Sequence, residues 1–302
     1  MIDQAENLRQ IIGNLKTRCT AVMPGILDSE QRTSKVITVT SGKGGVGKTN
    51  VTVNLAIALS RIGKRVAILD ADFGLANIDV MLGIVPKHTL VDVMYDNKNI
   101  LEVLTDGPEN IKFISGGSGV EGLVKLTEKQ RESFMQNISL LDRLVDFILI
   151  DTGAGLSESV LGFVMAADEV ILVTTPEPTS ITDAYALIKF IANRDENKKI
   201  RVVVNRAENA GEADDILNKL SVVTNRFLTV DIHPLGFVPH DGQVIKAVKM
   251  QQPFILSFPK SQASRHIIEL SKKLANSEGI SKECKNAGIK KFVQKFLNLV
   301  NN

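Results

Sequence analysis

The chain has 302 residues, 44% of them hydrophobic and 23% charged, with a formal net charge of +2. That is enough to bury one large α/β core with tails, and too nearly neutral to argue for general nucleic-acid binding, so DNA is not an expected partner. Cys19 and Cys284 lie far apart without a CxxC partner, which argues against a disulfide framework or a thiolate metal site and fits a reducing cytosol. No run of about eighteen apolar residues could span a bilayer, and residues 1–20 lack a basic n-region and apolar h-region, so the expectation is a cytoplasmic chain, neither secreted nor integral to a membrane.

In chain order, residues 1–16 form a first element, in which Ala5, Leu8, Ile12 and Leu15 share one helical face that predicts a binding partner. Residues 17–34, with Pro24, Gly25 and several Ser and Thr, read as a linker. The main domain is expected over 35–276. Val36–Thr40 reads as a buried strand, and Thr49 to Arg61 as a helix with apolar spacing at Val53, Ile57 and Leu59. Between them, Ser41-Gly42-Lys43-Gly44-Gly45-Val46-Gly47-Lys48-Thr49 satisfies G-x-x-x-x-G-K-[ST]. In that motif backbone N–H groups surround phosphates, the last lysine reaches the β/γ oxygens and the hydroxyl ligates Mg²⁺. A loop ending at a helix N-terminus favours anions through the aligned peptide dipoles. Gly42 through Asn50 are therefore the candidate contacts to a nucleoside triphosphate.

Further strands are expected at Val66–Leu69, Ile111–Ile114, Phe147–Ile150, Val170–Val173, Arg201–Val204 and Leu235–Val238, mostly continuous apolar runs of the kind covered on both faces. Helical patterns fall near 127–144, 156–166, 179–193, 211–225, 242–249 and 261–275. Together they predict a doubly wound, mostly parallel α/β sheet with helices on both faces, in which ligands sit beyond the carboxyl ends of the strands. That rule selects Asp70 and Asp72 after the second strand and Asp151 after the Phe147–Ile150 strand. Asp151 closes an apolar run as a Walker B carboxylate does, opposite the P-loop hydroxyl. Gly153 and Gly155 permit rearrangement near a γ-phosphate. Last comes a tail over 277–302, in which Ile289, Phe292, Val293, Phe296, Leu297 and Val300 line one helical face and Lys285, Lys290, Lys291 and Lys295 the other. Such a helix suits an interfacial anchor on anionic lipid, weak singly and strong when paired in a dimer; a helix folded onto the core, or stored in a groove of the monomer and released on dimerisation, stays open beside it.

The run from Lys43 to Thr49 resembles the deviant Walker A motif of the MinD/ParA (SIMIBI-class) ATPases, with Lys43 in the place of their signature lysine. Asp70-Ala71-Asp72, Leu75-Ala76-Asn77-Ile78-Asp79, Asp151-Thr152-Gly153-Ala154-Gly155 and Phe237-Val238-Pro239-His240-Asp241 follow in that family's order. The resemblance implies Mg-ATP hydrolysis and ATP-dependent homodimerisation. On it, Lys48 contacts the β/γ oxygens, Thr49, Asp70 and Asp151 serve the metal, and Asp72 orients the attacking water. Lys43 reaches the partner's nucleotide, and Asn205, Arg206 and Pro239 match base-binding positions. A lysine crossing between subunits could neutralise γ-phosphoryl charge as an arginine finger does.

Asp3-Gln4-Ala5 followed by Leu8-Arg9 is similar to the activator motif of the MinD-like ATPases that set flagellar number and placement. That similarity implies docking of residues 1–16 on a flagellar signal-recognition-type GTPase and stimulation of its hydrolysis, and peripheral attachment to the inner face of the cell membrane. A flagellar transcription regulator or a switch-complex protein stands as a further partner. Two alternatives stay open: a cell-division or partitioning ATPase sharing the whole ATP site, and an ATP-switched binding regulator with negligible turnover. A tyrosine-kinase relative would want a C-terminal Tyr cluster, whereas only Tyr95 and Tyr185 exist, and an iron–sulfur carrier would want cysteines unlike Cys19 and Cys284.

Overall fold

The structure, a computed structural model, describes residues 33–72, 77–96, 98–116, 126–228, 230–276 and 288–300. The expected N-terminal helix, with Asp3, Gln4, Leu8 and Arg9, lies outside the described residues, as do most of the linker, Leu75, Ala76 and Lys285. In chain order the elements are β1 (Lys35–Thr40), α1 (Lys48–Arg61), β2 (Val66–Ala71), α2 (Asn77–Leu82), α3 (Leu90–Tyr95), α4 (Ile100–Val103), β3 (Thr105–Asp106) and β4 (Lys112–Ser115). There follow α5 (Glu128–Ile138), α6 (Leu141–Leu144), β5 (Phe147–Thr152), α7 (Glu158–Ala166), β6 (Glu169–Thr174), α8 (Pro178–Ala192), β7 (Lys199–Ala207) and α9 (Ala210–Phe227). The chain closes with β8 (Ile232–Pro239), α10 (Gly242–Lys249), α11 (Phe254–Ser257), α12 (Gln262–Asn276) and α13 (Ile289–Val300).

The eight strands form one sheet in the order β3-β4-β2-β5-β1-β6-β7-β8, with every neighbouring pair parallel except β3 and β4. Alternate residues of β1 serve opposite faces. Ile37 and Val39 join the core under α1 and α12, whereas Val36 joins the core built from α3, α5, α7 and α13. Both faces are covered, so the strands read as unbroken apolar runs. All seven expected strands are present. The two-residue β3 is too short to leave a periodic signal.

One expectation about helices is corrected, and one question left open is decided. The single helix expected over 127–144 is broken into α5 and α6, because the Ser139 hydroxyl donates back to the Gln136 carbonyl (2.7 Å) and competes with continuation of the helix. The apolar face of the C-terminal helix, whose docking the sequence leaves open, is packed on the chain itself: Ile289, Phe292, Val293, Phe296 and Leu297 are all buried in the core. Phe163 of α7 stacks on Phe296 at 4.4 Å and Phe292 at 6.0 Å between ring centroids. An apolar stripe satisfied by a groove of the same chain need not wait for lipid, since both remove it from water equally well. The side chain of Val300 lies outside the described residues.

Candidate nucleotide site

The phosphate loop is shaped by its glycines. Gly45 (φ +78) and Gly47 (φ +91) hold left-handed conformations, open to glycine without the Cβ penalty. A side chain on Gly42 would collide with the backbone of Asp183 in α8. Gly47 is also the N-cap of α1, whose first turn carries no acidic residue, so the positive end of the helix is left for an anion. From the far side Asn205 Nδ2 donates to the Val46 carbonyl (2.7 Å) and Arg206 donates to the Gly45 carbonyl (2.9 Å). These two residues, expected at the base, thus also brace the loop. Pro239 ends β8 opposite Ala207. A cavity of about 580 Å³, lined by His240, Asp241, Gly242, Gln243 and the turn from Phe258 to Gln262, opens just past Pro239.

Three expected metal-site residues meet at one point. Thr49 Oγ1 donates to Asp151 Oδ2 (2.6 Å) and Thr52 Oγ1 to Asp151 Oδ1 (3.0 Å). Parallel pairing of β2 with β5 sets Asp70 directly beside Asp151. Asp70 accepts from the N–H groups of Asp72 (3.1 Å) and Ile78 (3.3 Å), fastening the start of α2 to the end of β2. Burial raises Asp70 to about 7, helped by the Asp151 charge; burial likewise raises Asp151 to about 6, against the hydrogen bond from Thr49 and the charge of Lys48. Two carboxylates that resist ionising together, beside a threonine hydroxyl, are a hard oxygen donor set that a Mg²⁺ ion would relieve. The residues fit the metal.

A pH dependence follows. The folded chain holds these protons over the interval between the ordinary aspartate value, 3.8, and about 6 to 7, so the contribution of these two groups to stability is fully present below that interval and is lost as pH rises through it. The melting temperature of the metal-free protein is expected to drop between pH 5 and pH 8, and Asp70→Asn to flatten that slope; Mg²⁺ with nucleotide is expected to stabilise more at pH 8, where protons no longer compete. Calorimetry at the two pH values checks it, and parallel slopes for both proteins would refute the assignment.

Asp72 stands apart from this trio. Its Oδ2 accepts from Asn77 Nδ2 (3.0 Å), and Oδ1 lies on the side of Gly153 where a side chain would project. Gly155 (φ +91) donates its N–H to the Ser41 carbonyl (2.9 Å), tying the loop after β5 to the start of the phosphate loop. Lys48 is buried within reach of the Asp151 charge. Lys43 is held by Glu177 (2.7 Å) and Thr179 (2.8 Å) at the start of α8, and the lysine keeps Glu177 below the usual carboxylate range. Sequence reasoning missed Thr52, Asn77 in its bond to Asp72, and the Glu177–Thr179 pair. Glu177 was reachable by the strand-end rule, since Thr175-Pro176-Glu177-Pro178 directly follows β6.

A phosphate loop at the end of β1, a Walker-type carboxylate on β5 and a parallel sheet define a P-loop nucleoside-triphosphate-binding protein. The ParA family model, described as NUBPL iron-transfer P-loop NTPase, matches residues 32–275. Antiactivator FleN of Pseudomonas aeruginosa is 47% identical over 231 residues, spanning 76% of this chain and 82% of FleN. Flagellum site-determining protein YlxH of Helicobacter pylori is 31% identical, spanning 87% and 90%. The solved structure of septum site-determining protein MinD complexed with Mg-ADP from Pyrococcus horikoshii superposes with a TM-score of 0.66 at 26% identity, spanning 82% and 99%. The chain belongs to the MinD/ParA family of P-loop ATPases, on the side of its flagellar members FleN and YlxH.

Proposed function

We propose that this chain is a Mg-ATP-hydrolysing, ATP-dependently dimerising regulator of flagellar number and placement that attaches reversibly to the inner face of the membrane. The likeness to FleN and YlxH supports the flagellar role. The observation that supports the ATPase cycle best is the site itself, with Thr49 on Asp151 and Asp72 facing the glycine loop at Gly153.

On this reading the phosphate loop and Lys48 bind the triphosphate, while Thr49, Asp151 and Asp70 hold Mg²⁺, which supplies charge neutralisation at the γ-phosphoryl. Asp72, oriented by Asn77, accepts a proton from the attacking water and sets its line of approach. Asn205, Arg206 and Pro239 contact the base. Lys43 leaves Glu177 and Thr179 to reach the nucleotide of a second copy. That ion pair is exposed, at 38% and 55% of its two side chains, so solvent screens it and breaking it costs little. The C-terminal helix leaves its groove in the dimer and two copies together hold the membrane. Residues 1–16 engage the flagellar signal-recognition-type GTPase through Asp3, Gln4, Leu8 and Arg9.

Lys43→Ala is expected to remain monomeric with Mg-ATP while still binding it. Size-exclusion light scattering with a non-hydrolysable analogue is the check, and a normal dimer would count against the shared-site reading. The name of FleN, an antiactivator, favours a second reading in which the nucleotide site only switches binding to a transcription activator. Retention of activator binding by a variant that no longer hydrolyses ATP would favour it.

A further inference from the structure

We propose that Asp142 is a clasp that ties Ser34, the residue before β1, to the start of the C-terminal helix and keeps that helix in its groove. This rests on the reading of helix 289–300 as the membrane-binding element, and assigns its control to a contact far from the nucleotide.

Asp142 sits in α6, and its Oδ1 accepts three hydrogen bonds from two distant parts of the chain. Ser34 supplies two of them, from its N–H (3.3 Å) and its hydroxyl (2.5 Å). The third comes from the N–H of Ile289 (2.9 Å), the first residue of α13. Ser34 is fully buried and immediately precedes β1.

The helix depends on this carboxylate more than most helices depend on a cap. Its first turn holds no acidic residue, and Lys290 and Lys291 stand there instead, where the positive end of the helix dipole disfavours cations. Asp142 supplies the missing negative charge from another element. Gly288, at φ +120, is the residue that lets them meet, since a side chain there would press on both carboxylate oxygens at 2.9 Å. Asp142 is only half-buried, so without Ser34 its side chain is free to turn to water, and the bond to Ile289 weakens. A hydrogen bond to a charged acceptor shifts such an equilibrium about 10-fold or more.

The test is hydrogen exchange of the 289–300 amides in the nucleotide-free full chain, alongside sedimentation with phosphatidylglycerol-containing vesicles. Asp142→Ala is expected to speed exchange about 10-fold; Ser34→Ala should act in the same direction by a smaller factor. The double variant should exceed Asp142→Ala alone by little, because both substitutions break one cluster. Gly288→Ala, which leaves β1 untouched, should reproduce the acceleration and guards against Asp142→Ala merely misfolding. Unchanged exchange in Asp142→Ala and Gly288→Ala would overturn the clasp, and full additivity of Ser34→Ala would overturn the link between Ser34 and the helix. Faster exchange with no gain in vesicle binding would uphold the clasp and remove the membrane reading on which its purpose rests.

Discussion

Asp72→Ala is expected to bind Mg-ATP about as well as the unaltered chain while releasing phosphate about 10²- to 10⁴-fold more slowly, the range for loss of a positioned general base. The separation of effects follows from the geometry. The phosphate loop is shaped by Gly42, Gly45 and Gly47 and braced by Asn205 and Arg206, and the residues proposed for the metal, Thr49, Asp70 and Asp151, are held by one another and by backbone N–H groups. Asp72 contributes a backbone N–H to Asp70, which alanine keeps. Its carboxylate meets only Asn77 among the described hydrogen bonds, on the side of Gly153. A variant that binds but does not hydrolyse should accumulate as the dimer on vesicles. Phosphate release measured beside binding of a fluorescent ATP analogue decides the matter, and equal release by both proteins would take the water-positioning role from Asp72.

Phe292→Glu should abolish vesicle sedimentation while leaving the hydrolysis of the isolated protein nearly intact. Its side chain is 3% exposed and stacks toward Phe163 and Phe296, and placing a carboxylate there costs several kcal/mol without a partner. The helix is therefore driven out of its groove. It still cannot settle on lipid, because the new charge sits in the middle of its apolar stripe and faces anionic headgroups. Limited proteolysis should cut the tail faster, and vesicles should fail to retain the protein. Unchanged sedimentation would mean that the helix serves only to close the core around Phe134, Leu141 and Phe163.

Both variants test a boundary in what the sequence made legible. The phosphate loop could be read because its chemistry is local: glycines at left-handed positions, a lysine and a hydroxyl follow one another within a single turn. Asp70 and Asp151 could be read because a parallel strand announces its own end. The short helices α2, α3, α4 and α11 are each too brief to show a period, although Thr89 with Asp92 and Asn99 with Glu102 form capping boxes that the sequence displays.

The sequence by itself determined the layered sheet, the order of its strands' chemical residues and the amphipathic character of residues 289–300, since these depend on periodicity and on neighbours a few positions apart. Only the tertiary structure decided where that apolar face goes, because a stripe of Phe, Leu and Val is equally satisfied by lipid or by a groove. The same holds for Lys43 on Glu177, Asn205 under the phosphate loop and Asp142 between Ser34 and Ile289. Each of those contacts closes over a hundred residues of chain, and a charged or amide side chain in a sequence carries no mark of the partner that folding will bring to it.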